Sequence, residues 1–331
     1  MLVTYGKWEL IFWKHSMSIE IREHEPLAPF TSFKIGGPAR YFVRVRSYDE
    51  LKEALNWVHD NDLPLAILGG GSNILVHDDG FDGVVIKMED RDIQIKGTIV
   101  EASAGASLAM VAHTASQAGL SGLEWACGIP GTIGGAVRGN AGAFGASIAD
   151  ILVDAEVIDT EKGIILHLSP EDLDYGYRTS RFKKNPTWLV TRALFQLQPD
   201  DPSVCMSRVR DLLEQKNAAQ PAGKPCAGST FQNPLTSELS RISEMPVEFL
   251  SRERLPAGWL LDQCNLKGHV VGQAVISLKH ANFFINMGGA TYAEMRSLIE
   301  LAKDRVMAKF GILLKEEIQY IGNKGKVPAN H

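Results

Sequence analysis

The sequence predicts an α+β fold in three lobes, on three observations. Short β-rich runs mix with amphipathic helices that carry recognisable caps, and two glycine-rich loops follow apolar segments. An irregular stretch, Gln220-Pro-Ala-Gly-Lys-Pro-Cys-Ala-Gly228, then separates these units from a C-terminal helix and strand. At 331 residues the chain has room for two or three domains of roughly 100 to 200 residues each.

The first unit, 17–88, opens with a β-rich run at 41–46. Ser47-x-x-Glu50 then forms a capping box before a helix with Leu51, Ala54, Leu55 and Val58 on its apolar face. Pro64–Leu68 reads as a short buried strand that runs into Gly69-Gly-Gly-Ser-Asn73 and then Ile74–Val76. Taken alone, that loop is either a hairpin turn or a backbone cradle for a pyrophosphate. Gly83–Lys87 closes the unit. The second unit, 89–202, carries strands near 93–95 and 99–103 and a helix capped by Ser107 and stopped by Gly119. Paired strands follow at 151–158 and 164–168, with a helix start at Ser169-Pro170 and a strand at 188–197. The third unit, 203–322, begins with a helix at about 203–216 and contains a polar excursion at 235–256. It ends with a helix capped by Thr291-x-x-Glu294, Gly311 just past it, and a strand over 312–321. Residues 323–331 read as a tail.

Composition narrows the function. Apolar content of 45% and charged content of 22% are those of soluble proteins. A net charge of −5 and a pI near 6.0 argue against a nucleic-acid surface and favour small-molecule partners, with room for a local basic pocket. Cys127, Cys205, Cys226 and Cys264 show no metal-ligand spacing, so no metal site is expected and they read as reduced thiols. The apolar run Leu10–Trp13 is too short for a signal-peptide core or a membrane span. Residues 1–16 read as a disordered extension, with Met17 a second plausible start. The expectation is a cytoplasmic monomer with no membrane partner.

The densest feature is Gly128–Gly145, with seven glycines. Glycine loses the most backbone freedom on folding, so this density suits a segment whose N–H groups must approach an anion closely or turn with φ > 0. Tight turns and close sheet contacts are the alternative. Neither common nucleotide fingerprint is present: no Gly-x-Gly-x-x-Gly leads from a strand into a helix, and no Gly-x-x-x-x-Gly-Lys-Ser/Thr occurs. A Rossmann or P-loop site is therefore disfavoured, whereas the two glycine loops together suit one extended dinucleotide between lobes.

Nine segments in a fixed order carry a resemblance over residues 27–322. They are Thr31-Ser-Phe-x-Ile-Gly-Gly-Pro-Ala39, Leu68-Gly-Gly-Gly-Ser-Asn-Ile-Leu-Val76, Gly128-Ile-Pro-Gly-x-Ile-Gly-Gly-Ala136 with Asn140-Ala-Gly142, and Tyr175-Gly-Tyr-Arg-x-Ser180. Later come Gly228-Ser-x-Phe-x-Asn-Pro234, Ala257-Gly-Trp-Leu-Leu-Asp262, Leu266-Lys-Gly268, Lys279-His-Ala-Asn282 and Glu317-Ile-x-x-Ile-Gly322. Singly weak, in this order they are specific. The chain resembles the UDP-N-acetylenolpyruvoylglucosamine reductase (UDP-N-acetylmuramate dehydrogenase) family.

The resemblance implies a two-lobed FAD-binding unit of the vanillyl-alcohol-oxidase (PCMH) type, 17–88 and 89–202, plus a C-terminal α+β substrate-binding domain, 203–322. It implies non-covalent FAD, NADPH as reductant and a UDP-sugar substrate, UDP-N-acetyl-3-O-(1-carboxyvinyl)-glucosamine, reduced to UDP-N-acetylmuramate for peptidoglycan. Leu68, Gly69, Gly70, Gly71, Ser72 and Asn73 match cofactor-binding positions, as do Gly128, Ile129, Pro130, Gly131, Thr132, Gly134, Gly135, Asn140 and Gly142. Arg178 matches the arginine on the substrate carboxylate, where a guanidinium can make two parallel bonds. Ser229 matches the proton donor, and Glu317 a glutamate that orients the site. Tyr177, Asn233, Lys267 and Asn282 match substrate-binding positions or shape that lobe. His280, Cys127 and Cys226 read as structural, and Lys315 and Glu316 as solvent-facing. Two departures stand out: Gln232 where many relatives have lysine, and the 235–256 excursion on an otherwise shorter substrate lobe. The alternatives are an FAD-dependent oxidase of the same superfamily acting on an alcohol or sugar, and a catalytically silent nucleotide-binding module.

Overall fold

β-Branched and aromatic runs set the first sheet. The structure, a computed structural model, describes residues 18–239, 245–323, 325, 327 and 328. The extension expected over 1–16, part of the 323–331 tail and the centre of the 235–256 excursion lie outside these. Strands β1 (Ile21–Pro26), β2 (Pro38–Val45), β3 (Leu65–Leu68), β4 (Ile74–Val76) and β5 (Phe81–Met88) make up the first unit. Four of them form one sheet in the order β1-β2-β5-β3, with β1 antiparallel to β2 and the other pairs parallel. Helix α1 (Tyr48–Asp60) crosses between β2 and β3 and buries Leu51, Ala54, Leu55 and Val58, the face its periodicity predicts. Ser47 Oγ accepts from Glu50 N at 3.2 Å. The Glu50 carboxylate reaches the N–H of Arg46 at 2.6 Å rather than that of Ser47, so the expected box is displaced by one residue.

The second unit contains β6 (Ile93–Lys96), β7 (Ile99–Ser103), α2 (Leu108–Gln117), α3 (Ile133–Gly139), β8 (Leu152–Asp159), β9 (Ile164–Leu168) and β10 (Trp188–Gln196). Its strands form an antiparallel sheet in the order β9-β8-β10-β7-β6. The helix start expected at Ser169-Pro170 makes only a 3-10 turn, Pro170–Leu173, because Asp174 turns left-handed at φ +44°. One core joins both sheets: Val43, Ile86, Val100, Val111, Ile133, Val157 and Phe195 are all in it. The two units therefore share an interior, and their glycine loops meet where it reaches the surface.

After α4 (Pro202–Ala219) the chain builds a second core from α5 (Ala257–Gln263), the antiparallel meander β11 (Val270–Val271), β12 (Ala274–Ile276) and β13 (Phe284–Asn286), and α6 (Tyr292–Phe310), into which Phe33, Ile35 and Leu75 of the first unit also pack. Thr291 and Glu294 complete a reciprocal capping box, and Gly311 ends α6 at φ +70°. Phe231 is 1% exposed and meets Phe284 edge-on at 5.8 Å. Phe231→Ala should cost about 3–5 kcal/mol of stability, read as a lowered denaturant midpoint; a change under about 1 kcal/mol would place Phe231 outside the core.

The strand expected over 312–321 is shorter, β14 (Gln319–Ile321). Alternation persists, with Ile312, Leu314, Ile318 and Tyr320 buried, but the facing segment is irregular. Among the described residues it pairs through Gln232 N to Lys315 O at 2.9 Å and Glu317 N to Thr230 O at 2.8 Å. β14 then pairs parallel with β4, in register Gln319 to Ile74. The C-terminal unit is thereby stitched to the first unit beside the first glycine loop. Among the described residues no helix is long and apolar enough to cross a membrane.

Candidate active site

The two glycine loops touch. A Cβ on Gly70 would lie 2.6 Å from Gly131 Cα, one on Gly69 2.5 Å from Thr132 Oγ1, and one on Gly131 2.8 Å from Ser72 Oγ. Ser72 Oγ donates to Pro130 O at 3.1 Å, bridging the loops directly. The contact leaves donors free. Among the described residues, nothing accepts from the N–H groups of Gly70, Gly71 and Ser72, or of Gly131, Thr132 and Gly135, and the buried Thr132 Oγ1 has no partner. Ile133 N and Gly134 N, by contrast, are spent on Ala106 O and Ala104 O, both at 2.9 Å. Buried polar groups are normally paired, so a cradle of free donors lined by glycine suits an anion such as a pyrophosphate. The residues present thus fit FAD.

Not every glycine in the stretch faces that cradle. Gly142 packs against Ala146 O in a small hairpin, where a Cβ would lie only 2.5 Å from that oxygen, while Gly139 has nothing within 4 Å. Gly70→Ala should therefore force the loops apart at an overpacking cost of about 1–3 kcal/mol, about 5- to 150-fold in FAD affinity if all of it falls on binding. Gly139→Ala should retain flavin normally. The flavin-to-protein absorbance ratio after gel filtration checks both, and full retention by Gly70→Ala would contradict the cradle.

The stretch also holds the loop that carries Arg178. Asn140, itself left-handed at φ +45° as the C-cap of α3, donates through Nδ2 to Gly176 O at 3.0 Å and accepts from Ala149 N at 3.0 Å. Tyr175 Oη donates to Val137 O at 3.1 Å and Ser180 Oγ to Arg138 O at 2.6 Å. Between these clamps Arg178 sits at φ +55°, a conformation that costs an L residue about 1–3 kcal/mol. Lys183 Nζ donates to the Arg178 carbonyl at 2.8 Å.

Arg178 Nε lies 2.9 Å from Glu317 Oε1. Among the described residues this buried nitrogen has no other partner. The two groups attract as charges. Burial pushes the Glu317 carboxyl upward, against the pull of Arg178 and Lys183. Asn73 Nδ2 donates to Glu317 O at 2.9 Å, tying this residue to the first glycine loop. Glu317 N reaches Thr230, the residue after Ser229. Ser229 follows Gly228 at φ +75°, is half-buried, bridges to Phe283, and makes no side-chain hydrogen bond among the described residues. Arg178 and Glu317 thus come together from distant segments, and Ser229 stands one residue from the main-chain bond between Thr230 and Glu317.

Other expected residues divide. Tyr177 Oη accepts from Asn233 N at 3.4 Å, and its ring meets the Arg254 guanidinium at 4.1 Å and that of Arg178 at 5.5 Å. The side-chain oxygen of Asn233 accepts from Ala257 N at 2.9 Å, holding the start of α5. Asn282 is 2% exposed and spends its amide on Phe231, accepting from N at 2.9 Å and donating to O at 2.8 Å. It shapes the lobe. Lys267 is exposed and pairs with Asp262 at 2.9 Å. His280 accepts from Asn282 N at 3.2 Å, and burial lowers its pKa, as a structural histidine requires. Glu316 is not solvent-facing as expected: its side chain is 14% exposed and pairs with Arg296 at 2.8 Å and Lys303 at 3.1 Å. Two long cations on α6 reach over to it.

Sequence reading passed over four cations. Lys87 Nζ donates to Gly69 O and Lys216 Nζ to Gly128 O, and burial lowers both ammonium groups. Lys183 lies near Arg178 and Glu317, and Arg138 lies near Lys183. None belongs to a spacing pattern; each acquires its place from chain reversals far away in sequence.

Residues 39–169 match the family described as FAD binding domain, and residues 220–321 match UDP-N-acetylenolpyruvoylglucosamine reductase, C-terminal domain. A UDP-N-acetylenolpyruvoylglucosamine reductase of Synechococcus sp. (strain JA-3-3Ab) is 39% identical over 310 residues, 93% of this chain and 93% of the relative. The chain belongs to the UDP-N-acetylenolpyruvoylglucosamine reductase family. A family member from Clostridium novyi (strain NT) is likewise 39% identical over 308 residues, 93% of this chain and 94% of its own. The crystal structure of the reductase from Thermus caldophilus superposes with a TM-score of 0.74 at 32% identity, covering 92% of this chain and 100% of that one. The fold class read from the sequence, an FAD-binding unit followed by the reductase family's C-terminal domain, is the one found.

Proposed function

We infer that the protein is an FAD-dependent oxidoreductase that uses NADPH to reduce UDP-N-acetyl-3-O-(1-carboxyvinyl)-glucosamine to UDP-N-acetylmuramate, a cytoplasmic step in peptidoglycan precursor synthesis. Membership of the reductase family over nearly the whole chain supports this reading. The single observation that carries it is the Arg178–Glu317 pair, 2.9 Å apart, with Glu317 bonded to Asn73 of the glycine cradle.

Bound FAD supplies the hydride chemistry. Gly70, Gly71, Ser72, Gly131, Thr132 and Gly135 offer the free donors that would hold its pyrophosphate. Arg178 binds the carboxylate conjugated to the enol ether. When hydride adds to the methylene carbon, negative charge grows on that carboxylate, and a guanidinium already in place stabilises it without reorganisation. Glu317 steadies Arg178 through the ion pair. Ser229 gives its hydroxyl proton to the adjacent carbon, which an enolate is basic enough to take within hydrogen-bond reach.

Steady-state assay of the holoenzyme tests the reading against the oxidase alternative. NADPH loss should require the enolpyruvyl nucleotide and match product formation one for one by mass spectrometry. Oxygen uptake driven by an alcohol or sugar, with the nucleotide inert, would replace the reductase by an oxidase.

A further inference from the structure

Three side chains fix the flanks of the Arg178 loop, yet only one bond among the described residues holds the Arg178 carbonyl, and it comes from Lys183, at 2.8 Å. We propose that Lys183 is a positioning residue of the reductase reaction, holding Arg178 in its left-handed, carboxylate-binding conformation and lending its charge to the same subsite. This rests on the reading of Arg178 as the anchor of the substrate carboxylate.

Two features separate Lys183 from an ordinary loop lysine. First, it is partly buried at the end of the 3-10 turn Arg181–Lys183, so its stem is folded back toward the site rather than into solvent. Second, it completes a set of charges that does not balance. Arg178 from its own loop, Arg138 from α3 and Glu317 from the segment before β14 are the charged groups acting on it. Arg138 has no carboxylate within ion-pair distance among the described residues; its nearest side-chain partner is the neutral Gln319, at 3.5 Å. Arg178 and Lys183 therefore share the one carboxylate, Glu317, with Arg138 set against Lys183 from α3, so the positive groups outnumber the negative one. Buried charges are normally paired, so this surplus suits an arriving anion, and the substrate carboxylate is the one Arg178 is placed to meet.

Because lysine titrates and arginine does not, the contribution carries a signature. Burial, then Arg138, lowers the Lys183 ammonium to about 8, with Glu317 pulling it back. Below that pH the ammonium holds the Arg178 carbonyl as a charged donor. Above it the charge is lost and the bond weakens, so transfer to substrate slows as pH rises through about 8.

The test uses flavin-loaded wild type, Lys183→Met and Lys183→Arg, reduced anaerobically with NADPH and mixed with the enolpyruvyl nucleotide across pH 6.5 to 9.5 in a stopped-flow cell. Lys183→Met should keep its flavin and its rate of reduction by NADPH. Its reoxidation should slow about 10²-fold, the scale of a displaced catalytic group. Lys183→Arg should keep most of the wild-type rate at pH 7 and lose the alkaline fall. A Lys183→Met enzyme reoxidised as fast as wild type overturns the proposal. So does an unchanged alkaline fall in Lys183→Arg, which decides the matter alone if the methionine variant does not fold. A wild type that the nucleotide cannot reoxidise overturns the functional reading and this proposal with it.

Discussion

Arg178→Met holoenzyme is expected to accept hydride from NADPH at close to the wild-type rate and to pass it to the enolpyruvyl nucleotide about 10³-fold more slowly, the upper range for one lost charge-stabilising group. The asymmetry follows from where charge develops. Reduction by NADPH develops no charge on a substrate carboxylate, whereas addition to the enol ether is unfavourable unless the carboxylate is held by a cation. Arg178→Lys should recover only part of the rate, because lysine keeps the charge but not the planar fork. Removing the guanidinium also leaves Glu317 without its 2.9 Å partner and with burial still opposing its charge. The Glu317 carboxyl should then hold its proton to higher pH in the variant. Single-turnover rates of the two half-reactions decide the matter: equal slowing of both would give Arg178 a structural role.

The second large effect belongs to Ser229. Ser229→Ala should leave reduction by NADPH nearly intact and slow reoxidation by the nucleotide at least about 10²-fold, the lower range for a lost proton donor. Its backbone duties survive the change, since the bridge to Phe283 and the neighbouring Thr230–Glu317 bond are main-chain contacts. The free hydroxyl is what disappears. Near-equal slowing of both half-reactions would assign Ser229 another task.

How much of this was legible beforehand depended on whether the cause lay close in sequence. The helices at Ser47 and Thr291 were, because caps and apolar spacing are local. The glycine loops were legible as places of close backbone approach, and the Gly70–Gly131 contact is that approach, although nothing local says which loop meets which. The final strand was overextended because Ile312, Leu314, Ile318 and Tyr320 keep a two-residue period against a partner that is not a strand. Glu316 read as solvated because its partners, Arg296 and Lys303, come from α6. Lys87, Lys183 and Lys216 gave no signal for a related reason: a lone lysine in a strand, turn or helix looks the same whether it faces water or a loop carbonyl. Asn282, matched as a residue that binds substrate or shapes its lobe, braces Phe231, a role that motif matching does not separate from ligand contact.

The most direct measurement is a single turnover without oxygen. Holoenzyme reduced by one equivalent of NADPH and mixed with one equivalent of the enolpyruvyl nucleotide should recover its full oxidised flavin spectrum and yield one equivalent of UDP-N-acetylmuramate. A spectrum that stays reduced while the flavin remains bound would contradict the account.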